Sequence, residues 1–152
     1  ADVNRSKREL ERLKRIAKAE GMWDPTEGGA DAVRFRDQIA LLEVDIVALE
    51  MLVLRVLSAE KSGKNSLDIA GLLKIKGSEI QQRYAELMML AAGPFAMPFI
   101  EEAMEAGWQG NFPGGVVANA PLASTYFNLR KTTIYGGSNE VQRNIVAQTV
   151  LG

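Results

Sequence analysis

The sequence contains neither cysteine nor histidine. Without thiols or imidazoles the chain itself cannot form a disulfide, a Cys/His zinc site or a Ser-His-Asp triad. It also has no excess of charge of either sign, because 18 basic and 19 acidic side chains give a net charge of -1. Such a balance provides no general attraction for nucleic acid or for an acidic membrane surface, so neither is predicted as a partner.

Long apolar runs are absent as well, since none approaches the roughly 20 residues that a membrane span needs. Residues 1–9 are highly charged and contain no signal-peptide core. We therefore predict a cytoplasmic protein without a membrane span. The length of 152 residues, 47% of them hydrophobic, is enough for one domain with its own core. The chain has no initiator Met, which suggests a processed chain or a cut-out domain.

The hydrophobic pattern has a helical period along most of the chain, with no strand-rich region and no internal repeat. Long helices are predicted at about residues 4–20, 31–61 and 66–92, and from residue 138 to the end. Short helices are predicted at 98–106 and 122–131. Residues 21–30, with one proline and three glycines, are predicted to be a loop, and residues 107–115 to be irregular. The predicted class is all-α.

The helix predicted at 31–61 carries the most distinctive pattern. Its apolar residues recur at alternating spacings of four and three, which is the seam of a helix that packs lengthwise in a bundle: Phe35, Ile39, Leu42, Ile46, Leu49, Val53 and Val56. A second set widens this stripe: Leu41, Val44, Ala48, Leu52 and Leu54. A helix that is apolar over so much of its surface must contact neighbours on more than one side, either other helices of the domain or a second subunit. Burial of this wide face predicts self-association through symmetric pairing. Three carboxylates nearby are interpreted as satisfied surface or interface groups: Glu43, Asp45 and Glu50.

Residues 131–147 contain the strongest candidate for a ligand site. The β-branched residues Thr132, Thr133 and Ile134 favour extended backbone, two glycines then break the chain, and a helix is predicted to open at Ser138. The free N–H groups at a helix start, together with the positive end of the helix dipole, suit a phosphate or a developing oxyanion. The alternative is a glycine turn followed by an ordinary surface helix.

The run Thr-Thr-Ile-Tyr-Gly-Gly-Ser-Asn-Glu-Val-Gln-Arg-Asn-Ile-Val-Ala at 132–147, called here the signature segment, resembles the C-terminal signature of acyl-CoA dehydrogenases. These flavoenzymes oxidise an acyl-CoA thioester to the 2,3-enoyl-CoA. The length of the unbroken match makes it specific. The resemblance implies that residues 1–152 form the family's C-terminal domain, a four-helix up-and-down bundle with short extra helices. The family's N-terminal helical domain and middle β-domain are absent from this chain.

The resemblance also implies a substrate site. The backbone N–H of Gly136 would hold the thioester carbonyl, and Tyr135 and Gly137 would flank the thioester. A hydrogen bond to that carbonyl acidifies the α-proton and stabilises the charge that develops as the proton leaves.

The implied cofactor is FAD. By position, Ser138 and Glu140 would meet the ADP part of FAD at the helix N-terminus, with Asn139 beside them. Glu140 can accept from a ribose hydroxyl or the adenine amino group, but it would repel the pyrophosphate.

The catalytic base is not assigned. Many family members carry the proton-abstracting glutamate at the position of Gly136, where glycine has no side chain for this task. In one branch the base stands in a Glu-Arg pair near the start of the domain's first helix, a position that falls upstream of Ala1. Glu9 and Glu11 are the alternative within the chain.

The full-length protein is thus expected to be an acyl-CoA dehydrogenase, and the isolated domain to be inactive. Its expected partners are an acyl-CoA substrate, an electron-transfer acceptor and further copies of itself, as a homodimer or homotetramer. The alternatives are a non-catalytic subunit with the same fold and a helix-bundle interaction module. Trp108 and Phe112 could line an acyl pocket, or could equally pack on each other within an Ω-loop.

Overall fold

The computed structural model describes residues 2–62, 67–105, 107–108, 110 and 121–151, without the side chains of 67–69. These residues form five α-helices and no strand: α1 (Val3–Ala19), α2 (Pro25–Lys61), α3 (Leu67–Ala92), α4 (Leu122–Leu129) and α5 (Asn139–Leu151). Short 3₁₀ turns lie at Gly93–Ala96, Glu101–Met104 and Arg130–Thr133. The predicted all-α class is confirmed.

Helix α3 is the centre of the bundle, because it packs against α1, α2, α4 and α5. The predicted seam of α2 faces this core, with Val53 half-buried and the other six members buried. Helix α1 contributes the apolar stripe Leu10, Leu13 and Ile16. Burial of these side chains away from water is what holds the long helices together.

Helix α2 begins earlier than the sequence predicted. The loop prediction for 21–30 is wrong from Pro25 onward, where a first helical turn leads to a kink at Gly29 (φ 56°, ψ -140°). This turn forms because Asp24 is an N-cap whose carboxylate accepts from the Thr26 N–H and hydroxyl, both at 2.8 Å. These bonds lower the pKa of Asp24. Proline is also well suited to the first position of a helix, where its missing N–H leaves no bond unmade.

The chain after α3 also differs from the prediction. Helix α3 ends at Ala92, as the following Gly-Pro pair predicts, and the 3₁₀ turn Gly93–Ala96 follows it directly. In place of the short helix expected at 98–106, the described residues form only the 3₁₀ turn Glu101–Met104. Phe99, which falls within that predicted helix, is exposed. Residues 63–66, which include possible N-cap residues of α3 (Asn65 and Ser66), lie outside the described residues, as does most of the stretch at 107–115 that was predicted to be irregular.

Most of the second apolar set of α2 is uncovered in the single chain, although Leu52 is half-buried. The side chains of Leu41, Val44 and Leu54 are each more than half exposed, and Val47 and Met51 extend the same surface. We call these five residues the α2 stripe. Among the described helices, none has an apolar stretch long enough to cross a membrane.

One core residue carries an unmet polar group. Tyr84 on α3 is 1% exposed, and no hydrogen-bond partner for its hydroxyl is found among the described residues. Burial raises the pKa of this phenol, while the Arg5 guanidinium acts in the opposite direction. The ring contributes packing, whereas the buried hydroxyl contributes little to stability.

Replacing Tyr84 by Phe is therefore expected to leave the free energy of unfolding unchanged within about 1 kcal/mol, or to raise it. Tyr84→Ala should lower it by about 3–5 kcal/mol because it leaves a cavity in the core. Chemical denaturation of the purified chain measures both values. A loss of similar size in the two variants would show that the hydroxyl, and not the ring, stabilises the fold.

Candidate functional site

The signature segment crosses the surface of α3 before it enters α5. Its first residues do not adopt the extended backbone that the sequence predicted, since Arg130–Thr133 is a 3₁₀ turn that continues from α4. The Thr132 hydroxyl donates to the Leu129 carbonyl at 2.7 Å, and Thr132 is buried. Local bonds from threonine to a carbonyl three residues earlier have thus overridden the extended preference of a β-branched residue.

The two glycines form an exposed turn with φ values of 68° at Gly136 and 86° at Gly137. Residues with a side chain rarely adopt this left-handed region. Among the described residues, no backbone carbonyl accepts a hydrogen bond from the N–H of either glycine. A Cβ added at Gly136 would meet nothing within 4 Å, so the space beside this N–H is open. Within the described part of the chain, the turn therefore presents two backbone N–H groups that have no acceptor and lie on the surface.

A cleft of about 200 Å³ lies between this turn and α3. Its lining includes Leu73, Lys74, Gly77 and Ser78 from α3, and Tyr135 and Gly136 from the signature segment. The cleft brings Tyr135 and Gly136, two of the predicted substrate residues, next to polar groups of α3 that the sequence analysis did not single out.

Asn139, the first residue of α5, is turned into the protein. It is 3% exposed, and its side-chain N–H donates to the Ser78 hydroxyl oxygen at 3.0 Å. Its side-chain carbonyl accepts from the Lys74 ammonium at 2.7 Å. The Ser78 hydroxyl in turn donates to the Ile75 carbonyl at 2.8 Å. Asn139 was predicted to lie beside the cofactor residues, but these bonds already occupy its amide.

A second set of bonds holds the chain before the glycine turn. The Gln82 side-chain N–H donates to the backbone carbonyl of Arg130 at 3.0 Å. In return, the Arg130 guanidinium donates to the backbone carbonyl of Gln82 at 3.0 Å. The guanidinium also lies 4.3 Å from the ring centroid of Tyr126, in a cation–π contact. This reciprocal pair ties the end of α4 to α3.

Ser138 and Glu140, which flank Asn139 in the sequence, are more accessible to solvent than Asn139 itself. The Val141 N–H donates to the Ser138 hydroxyl oxygen at 3.4 Å, a long N-cap bond. Glu140 is exposed, and hydrogen bonds from its own backbone N–H and from the Ser138 hydroxyl hold the pKa of its carboxyl below the usual range. A negative charge at the start of α5 is favoured by the helix dipole.

The carboxylates of α2 that the sequence placed near its apolar region have partners. Glu50 forms an ion pair with Lys7 at 2.7 Å, and Glu43 forms one with Lys14. The hydrogen bond to Glu43 raises the pKa of Lys14. The interpretation of these carboxylates as satisfied surface groups is confirmed for both pairs.

The two carboxylates of α1 that could have been a catalytic base are also paired within their own helix. Glu9 lies 3.6 Å from Arg12, and Glu11 lies 3.1 Å from Lys14. Both pairs join residues one turn apart, as expected for a solvated helix face.

The aromatic loop is described only in part. Trp108 is half-buried, and its indole ring lies against the backbone of Gly110, where an added Cβ would come within 2.4 Å of the ring. Phe112, the other residue predicted to line an acyl pocket, lies outside the described residues.

Backbone conformation at the glycine turn gives a direct test. Gly136→Ala is expected to lower the free energy of unfolding by about 1–2 kcal/mol, because alanine is strained at φ 68° although its Cβ has room. Gly136→Asn should lower the free energy of unfolding by less, since asparagine tolerates a positive φ better than alanine does. Equal losses in denaturant titrations of the two variants would contradict backbone strain as the cause.

Comparison with protein families gives one match. The model for "Acyl-CoA dehydrogenase, C-terminal domain" matches residues 22–151, which include α2 to α5 and the whole glycine turn. Searches of curated proteins and of solved structures return no match. Because the family model covers most of the sequence, the chain belongs to the acyl-CoA dehydrogenase C-terminal domain family.

Proposed function

We propose that this chain is the C-terminal domain of an FAD-dependent acyl-CoA dehydrogenase, which oxidises an acyl-CoA thioester to the 2,3-enoyl-CoA. The observation that carries the proposal is the exposed turn of Gly136 and Gly137, whose N–H groups have no hydrogen-bond acceptor among the described residues and lie directly before α5. This is the part of the chain where the family resemblance is most specific.

In this proposal the Gly136 N–H donates to the thioester carbonyl. Proton loss from the α-carbon pushes negative charge onto that oxygen, and a donor already in place stabilises the charge without having to reorganise. Tyr135 and Gly137 flank the thioester. Tyr135 is more than half exposed beside the cleft, so its ring is free to contact a ligand.

The start of α5 fits the ADP part of FAD. The exposed turn lets a ligand approach the backbone closely, and the N-terminus of a 13-residue helix favours an anion. Ser138 and Glu140 would hold the cofactor there, with the ionised Glu140 accepting from a ribose hydroxyl or an amino group. Asn139 is left out of this contact because its amide is bonded to α3. FAD, when bound, supplies the acceptor for the β-hydrogen as hydride.

The base that removes the α-proton is assigned to a carboxylate outside this chain. Gly136 has no side chain, and Glu9 and Glu11 are engaged in ion pairs on α1. Without this base, the isolated domain should not oxidise acyl-CoA. We also expect it to bind FAD and acyl-CoA weakly or not at all. The same glycine favours the second candidate, a non-catalytic subunit with this fold.

The test uses the full-length protein. We expect it to purify with a bound flavin whose absorption bleaches when a matching acyl-CoA is added in the absence of oxygen. Residues 1–152 alone should purify without flavin and should show no such reaction. A bound flavin that no acyl-CoA bleaches would favour the non-catalytic subunit. The absence of flavin from the full-length protein would contradict the proposed function.

Self-association is proposed through the α2 stripe. Val44, Val47, Met51 and Leu54 follow one another at spacings of three and four, the pattern of a second packing seam, and all are exposed in the single chain. So much contiguous apolar surface is unusual for a monomer. A second copy of the chain, paired about a two-fold axis, would bury the stripe on both sides.

Leu54→Glu is expected to shift the chain toward the monomer, because a carboxylate buried without a partner opposes the contact. Leu90→Glu on α3 is the matched control, since Leu90 is 55% exposed and Leu54 is 53% exposed. Sedimentation over a concentration series measures the effect. If the wild-type chain stays monomeric, or if both variants dissociate equally, the α2 stripe is not the interface.

A further inference from the structure

We propose that α3 positions the Gly136 N–H by holding the signature segment at two points, through Ser78 with Lys74 on one side of the glycine turn and through Gln82 on the other. This inference rests on the proposed function, because it concerns how the thioester donor is held. These residues touch neither substrate nor cofactor in the proposal, so they are positioning residues.

The first anchor follows the turn. Ser78 is 5% exposed, and it accepts from Asn139, which is buried as well. Lys74 donates to the other end of the same amide. Every polar group of the Asn139 side chain that faces the protein is thus bonded to α3. A buried amide that loses such partners is destabilised, so the first residue of α5 is firmly placed.

The second anchor precedes the turn. The Gln82 side-chain N–H lies 3.0 Å from the Arg130 carbonyl and 3.3 Å from the Thr133 hydroxyl oxygen. Arg130 returns a bond to the Gln82 carbonyl. The 3₁₀ turn Arg130–Thr133 is therefore fixed to α3 directly before the exposed residues begin.

The two anchors lie on one face of one helix. Ser78 and Gln82 are four residues apart on α3, so their side chains are neighbours about 5–6 Å apart at Cβ. The chain leaves the helix surface after Thr133 and returns to it at Asn139. Between these points, and counting only partners among the described residues, the backbone of Gly136 makes one long hydrogen bond, from the Gln142 side chain to its carbonyl at 3.4 Å.

The glycine turn cannot fix itself. Glycine has no side chain to pack and has more backbone freedom than any other residue. The direction of the Gly136 N–H therefore depends on where the anchors place the two ends of the turn. A donor that wanders from its position must be reorganised during the reaction, which slows the chemical step more than it weakens substrate binding.

The experiment compares Ser78→Ala with Ser6→Ala in the full-length flavoprotein. Ser6 is the matched control because it is also a buried helical serine, 4% exposed, with its hydroxyl donating to the Asp2 carbonyl on α1. We expect the Ser78→Ala variant to retain its flavin and to have a kcat about tenfold or more lower, with a much smaller change in KM. The Ser6→Ala variant should keep kcat and KM near the wild-type values. Gln82→Met removes the side-chain bonds of the second anchor, leaves the bond from Arg130 to the backbone carbonyl of residue 82, and should act in the same direction.

A spectroscopic readout separates positioning from general loss of structure. The infrared C=O stretch of a bound, ¹³C-labelled enoyl-CoA thioester should lie at lower frequency in the wild type than in free solution, and Ser78→Ala and Gln82→Met should each reduce this shift. An unchanged shift and unchanged kcat in both variants would overturn the inference while leaving the proposed function intact. A wild-type protein whose flavin is never bleached and whose bound thioester shows no shift would overturn the proposed function, and the inference with it.

Discussion

The contact between Asn139 and α3 is the constraint on which the site depends. Helix α5 reaches the rest of the protein chiefly through α3, and its first residue is joined there to Ser78 and Lys74. This contact sets where α5 begins and therefore where its free N–H groups lie. Asn139, which makes this contact, is the immediate neighbour of Ser138 and Glu140, the proposed cofactor residues. Adjacent residues at the start of α5 therefore have different roles, one in holding the helix and the others in binding FAD.

The glycine turn shows how one feature can serve opposite needs. A ligand-facing donor must be open to its ligand, which requires residues without bulky side chains, and it must also be held still. Gly136 and Gly137 meet the first need at the expense of the second. Helix α3 meets the second, since α1, α2, α4 and α5 all pack against it. The glycine turn thus lies beside the helix at the centre of the bundle.

Local patterns predicted the helices well and the site only in part. The seam of α2 was predictable because helical spacing alone decides which residues share a face, and nearly all its members are buried. The turn at Pro25 was missed because glycine and proline were interpreted as a loop, although Asp24 before proline is a helix start signal. The extended backbone expected at Thr132 was wrong because a bond to the Leu129 carbonyl outweighs β-branched preference.

The role of Asn139 could not be predicted from its neighbours in sequence. Its partner Ser78 lies 61 residues away, and nothing local indicates that the asparagine turns inward while Ser138 and Glu140 face outward. The one indication in the sequence was Ser78, a polar residue on the side of α3 that faces the core. Ser78 shares a helix face with Ile75, Gln82 and Ala85. A buried serine on such a face requires a partner.

The most direct measurement is the structure of the full-length protein with acyl-CoA bound. The account predicts that the thioester carbonyl oxygen lies about 2.7–3.1 Å from the Gly136 nitrogen, with the Asn139 amide still bonded to Ser78. A carbonyl held elsewhere, or an Asn139 side chain turned out toward the cofactor, would contradict it.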